Sequence, residues 1–122
     1  MEVSAPGLFI RKDKTMGNRA TIEVKDHEES APCYVYIHWM GDQDQVVEMV
    51  KRAAPVMRRT DASYAMARLI GTYHVEIDGG LSLGVTKYKE EWDNGHYVVD
   101  ISKGTIENEG DVIASDLEFG QF

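Results

Sequence analysis

His38, His96 and Asp100 are the side chains whose types suit metal binding or proton transfer. The chain carries four histidines, His27, His38, His74 and His96. His38 and His96 come close if their strands are neighbours, and Asp100 lies on the same predicted face as His96. The three then form a His/His/carboxylate set of the kind that binds zinc, enough for a small metal-dependent hydrolase. Their spacing matches neither His-x-His nor His-Glu-x-x-His, and hydrogen bonding at a sheet surface is the simpler role. No nucleophile motif accompanies them. Ser82 lacks the Gly-x-Ser-x-Gly elbow, and Cys33 falls on a predicted buried face, where a thiol is inert. The glycines of "GLSLG" lack the phosphate-loop lysine and the dinucleotide spacing. Glu90, Glu91 and Asp93 cluster in a charged loop, where solvation is the default. The expectation is therefore no catalytic residue, no metal and no cofactor.

A second kind of chemistry is recognition. "CYVYIHWMGD" (33–42) alternates, which places Cys33, Val35, Ile37 and Trp39 on one face of a strand and Tyr34, Tyr36, His38 and Met40 on the other. Aromatic residues with a polar tip concentrate in interfaces. Tyr34, Tyr36 and His38, with His96 and Asp100 from a later strand, are thus candidate partner-binding residues. Two tyrosines stacking on a base would instead make a nucleotide sponge.

The elements that must position these residues follow from periodicity. Ala20, Ile22 and Val24 alternate with Thr21, Glu23 and Lys25, a half-buried strand. After 33–40, Val46, Val47, Val50, Ala53, Ala54 and Met57 recur at helical spacing. Asp42 and Gln45 resemble a capping box, and Pro55 should end this helix near Ala53. A second helix should start at the N-cap Asp61 and run to about Glu76, with Gly79 or Gly80 as its stop; a hairpin around Asp78-Gly79 is the alternative. Leu81, Leu83 and Val85 mark a third strand, and Tyr97, Val99 and Ile101 a fourth, with His96, Val98 and Asp100 on its other side. "TIENE" (105–109) is a candidate fifth. Trp39 is expected in the core, and Trp92 either as a lid or as an exposed anchor. This order predicts an α+β fold: a four- to five-stranded, mainly antiparallel sheet with two helices packed on one face.

With 122 residues, of which 28% are charged, the chain suits one domain. Residues 1–16 read as a flexible arm, 17–110 as the domain and 111–122 as an acidic C-terminal tail, either docked or a handle. The single Cys33, the lack of a signal-like N-terminus and the lack of an apolar run of membrane-spanning length point to the cytoplasm. A net charge of −8 argues against nucleic acid as a direct ligand. The charge is also segregated. Residues 104–122 hold five acids (Glu107, Glu109, Asp111, Asp116, Glu118) and no base, whereas 51–68 hold five bases and one acid. Charge runs usually keep a surface solvated; the sharper reading is that Glu107, Glu109 and Asp111 dock onto a basic protein partner.

The segments "GNRATI", "CYVYIHWMGD", "DASYAMARLIG", "GLSLGV" and "YVVDI" together resemble a family of small uncharacterised proteins of bacteria, phages and mobile elements. Its members begin near "NRA", carry a "VYLYxHWxG"-type strand end and return to a "VVD" strand. The likeness spans residues 17–101, and His-Trp-x-Gly is its most specific part. It implies a phage or mobile-element accessory protein in the host cytoplasm, of the kind that inhibits a CRISPR or restriction complex by protein–protein contact. It carries over no site residue, and a homodimer is compatible with it.

Overall fold

The structure is a computed structural model and describes residues 18–76, 83–89 and 93–122. The arm 1–16, Leu81, Ser82, the Gly79/Gly80 helix stop, Glu90, Glu91 and Trp92 lie outside the described residues. In chain order the elements are β1 (Ala20–Lys25), β2 (Tyr34–Ile37), α1 (Gln43–Ala53), α2 (Ala62–Glu76), β3 (Leu83–Thr86), β4 (His96–Asp100), β5 (Thr105–Asn108) and β6 (Asp111–Ala114). The class is α+β, as expected. The sheet has six strands rather than four or five, in the order β3-β2-β1-β4-β5-β6. It is mixed: β1 runs parallel to β4, and every other neighbouring pair is antiparallel.

One face of the sheet is covered. Ile22, Val24, Val35, Ile37, Tyr97, Val99 and Ile106 point to it and share one core with Val46, Val50, Met57, Ala65 and Leu69 from the helical side. The α1 helix ends at Ala53, and Ala54–Val56 continue as a 3-10 turn, because Pro55 cannot donate a backbone hydrogen bond. Asp61 caps α2 by accepting from the Tyr64 N–H at 3.1 Å. Asp26 adds to the same end: its buried carboxylate accepts from the N–H groups of Glu28, Glu29 and Ala62.

Four sequence expectations change. Asp42 precedes α1 but forms no capping box; its carboxylate accepts from Asn18 Nδ2 at 2.8 Å instead. Trp39 is 37% exposed, not core, because β2 ends at Ile37 and the chain bends over residues 38–40, so the alternation stops before Trp39; Met40 completes the bend at φ 66°. Val85 is exposed because β3 is an edge strand. The boundary expected at residue 110 falls inside a hairpin: Glu109 (φ 53°) and Gly110 (φ 89°) join β5 to β6 in a two-residue turn, where positive φ at both positions fits the strand twist. Beyond β6 the chain stays docked. Phe119 is buried, and the Gly120 N–H donates to the carbonyls of Ala54 and Met57.

Candidate binding face

On the sheet face away from the helices, register lines up Tyr36 on β2, Thr21 on β1 and His96 on β4. Thr21 Oγ1 lies 2.6 Å from His96 Nδ1, and His96 Nε2 lies 3.1 Å from Glu23 Oε1. Ser30 Oγ donates to the other Glu23 oxygen at 2.5 Å. A carboxylate only accepts, so the ring proton sits on Nε2 and Nδ1 accepts from the Thr21 hydroxyl when His96 is neutral. The Tyr34 ring stands edge-on to His96, at 5.1 Å and 87°. Burial pushes the Glu23 carboxyl up, but the Ser30 and His96 hydrogen bonds and the nearby charges outweigh it, so its pKa falls below the ordinary value.

Hydroxyl, imidazole and carboxylate occur here in the order of a hydrolytic triad. Thr21, however, is 0% exposed and His96 3%. No substrate carbonyl reaches the hydroxyl, so the row ties β1 to β4 and positions Tyr34.

The rim differs. Tyr36 Oη lies 2.9 Å from His38 Nδ1, and the His38 ring meets Trp39 edge-on at 4.6 Å. These three side chains form a ledge at the end of β2, with Trp39 outermost. A polar lattice fixes the backbone beneath it. Gly41 donates to the Asn18 carbonyl and sits so close that a Cβ would lie 2.5 Å from that oxygen. Arg19 forks onto Asp93, Asn94 donates to Asn18 and Asn108 to the Asn94 carbonyl. Tyr97, its hydroxyl pushed up to about 12 by burial, donates to the Gly41 carbonyl at 2.8 Å.

Across the face, Glu107 pairs in register with Val98. Lys89, His96, Val98, Glu107 and Glu109 line a depression of about 230 Å³. The fold therefore brings together Tyr34 with His96, Tyr36 with His38, and His96 with Glu107 and Glu109. It separates Asp100, which is buried in the β4–β5 turn and accepts from Ser102 N, Ser102 Oγ and Lys103 N. Asp111 stands exposed on edge strand β6. His38, His96 and Asp100 each have other partners, and among the described residues no group of three or more His, Cys, Asp or Glu is placed to hold a metal. Sequence reasoning put Thr21 and Glu23 on this face but gave them no role: the parallel β1–β4 pairing that aligns them with His96 leaves no local mark on the chain. Alternation alone does not reveal Trp39 as a contact residue, because the strand ends at Ile37 and the pattern no longer applies beyond it.

No protein-family model, curated protein or solved structure matches the chain. Among the described residues, no helix is long and apolar enough to cross a membrane.

Proposed function

We propose that the chain is a binding protein whose open sheet face contacts a basic protein partner. The observation that carries this reading is the ledge of Tyr36, His38 and Trp39, joined by a hydrogen bond and a ring contact with Trp39 left 37% exposed. Exposed aromatic anchors in a fixed geometry are the usual energetic centre of an interface. Glu107 and Glu109 lie three strands away, roughly 14 Å at ordinary strand spacing. They give the face the sign that steers a basic surface towards it. Tyr34 lies between, its ring set by His96. His96 and Asp100 support this face without touching a partner.

The resemblance to phage and mobile-element proteins supplies the biological setting: a partner that handles nucleic acid in host defence, such as a CRISPR or restriction complex, with its phosphate-binding groove blocked by an acidic protein in the host cytoplasm. Expression of the chain in cells carrying such a system should restore plating of a restricted phage. Tyr36→Ala combined with Trp39→Ala should abolish that protection at unchanged protein level. Protection untouched by the double variant, or absent across a panel of defence systems, would remove this reading.

A further inference from the structure

The helical side carries a surface of opposite character. Between the outer faces of α1 and α2 runs a groove of about 420 Å³, with Val56, Gly71 and Val75 along it and Arg52, Arg68 and Glu76 at its sides. Val75 is 83% exposed, an apolar side chain left in water at the end of α2. Arg52 is held between Glu48 and Glu76. Arg68 differs: its guanidinium rests on the ring and hydroxyl of Tyr64, and among the described residues it meets no carboxylate.

The same molecule carries a complementary projection. The β5–β6 hairpin presents Glu109 and Asp111 at its tip, next to Val112, which is 58% exposed. Among the described residues neither acid has a basic partner. Glu76 in the groove is paired with Arg52, so an apolar side chain beside two acids matches an apolar groove beside a guanidinium that has no acid partner among the described residues.

We propose that a second copy of this chain docks in the groove through its β5–β6 hairpin, Val112 covering Val56 and Val75, and Glu109 and Asp111 meeting Arg68. Groove and hairpin are different surfaces of one chain, so the contact is heterologous and a pair of copies leaves one groove and one hairpin unfilled. Such contacts propagate head to tail unless the rotation closes a ring. The contact does not depend on the basic partner proposed above, although both use the acids of the hairpin.

Sedimentation of the purified full chain tests it. At low ionic strength the average mass should rise with concentration, passing beyond a dimer unless a ring closes. Raising the salt to several hundred millimolar should return it towards the monomer, because exposed charge pairs are screened. Arg68→Glu and Asp111→Arg should each abolish that growth while leaving the far-UV circular dichroism unchanged. An equimolar mixture of the two variants should regain association, since each keeps the surface the other has lost. A monomer at every concentration in low salt would overturn the proposal. So would growth that persists in both variants, which places the contact elsewhere, or a mixture that stays monomeric.

Discussion

His96 and His38 are built from the same parts and stand in opposite positions. Each lies beside a tyrosine and each has Nδ1 against a hydroxyl, from Thr21 in one case and Tyr36 in the other. His96 is on β4, in the middle of the sheet, where Thr21 and Tyr34 pack beside its ring and Glu23 takes its second nitrogen. His38 lies just past the end of β2, where the backbone turns away and its ring leans on a half-open tryptophan. Residue type therefore decides little here. Strand order decides which histidine is scaffold and which can be touched.

Removing each ring should separate the two most sharply. His96→Ala leaves the Thr21 hydroxyl buried without its imidazole and opens a void beside Tyr34, which should cost about 2–4 kcal/mol. His38→Ala, at the rim, should cost less than about 1 kcal/mol. Urea unfolding of the two variants measures both, and equal losses would erase the distinction. Thr21→Val keeps the shape and removes only the hydroxyl, so about 1–2 kcal/mol is expected from the lost hydrogen bond and the stranded Nδ1.

Acid unfolding compares the electrostatics of the Thr21–His96–Glu23 row with those of the Asp26 carboxylate at the start of α2. The carboxyls of Glu23 and Asp26 both titrate below their ordinary values in the folded chain. For Asp26 the N–H groups of Glu29 and Glu28 come first, with burial opposing them. A carboxyl depressed by folding contributes stability that is fully present above its unfolded pKa and is lost as pH falls through the folded one. Both contributions should hold at neutral pH and fade below roughly pH 4, where unperturbed carboxyls titrate. Asp26→Asn should flatten that acid slope more than Glu23→Gln, because burial works most strongly against Glu23 and hydrogen bonds most strongly for Asp26. The reverse order would show that the Glu23–His96 pair is the stronger of the two.

Local periodicity made the covered face legible. Ala20, Ile22, Val24, Val35, Ile37 and Val99 are buried as their alternation requires, and α2 runs to Glu76 because its apolar stripe keeps phase that far. What stayed hidden was non-local. Nothing in residues 18–25 announces that β1 lies parallel to β4, and that pairing alone turns Thr21, Glu23 and His96 into a buried row. Asp111–Ala114 resembled a tail because an edge strand has only one neighbour and leaves Asp111 and Val112 exposed. Asp100 resembled a contact residue because a strand-end aspartate facing a partner and one capping its own turn have the same local sequence. Met40 is the opposite case. Its left-handed backbone does not follow from the residue type, since a bulky side chain at φ 66° is uncommon, yet it completes the bend over residues 38–40 that ends the strand before Trp39.

Trp39→Ala should give a small change in stability and a large change in recognition. The indole is partly in water and its ring contact is with His38 at the rim, so unfolding should shift by no more than about 1 kcal/mol. An indole that a partner desolvates contributes far more, since truncated interface anchors commonly cost 2 kcal/mol or more of binding, roughly a thirtyfold loss. The measurement pairs a urea midpoint with the phage-plating assay on the same variant. A near-native midpoint with lost protection would place the function on the rim. If Trp39→Ala instead unfolded the chain as His96→Ala is expected to do, the ledge would be one more piece of scaffold, and the contact would have to be sought at Glu107 and Glu109 across the face.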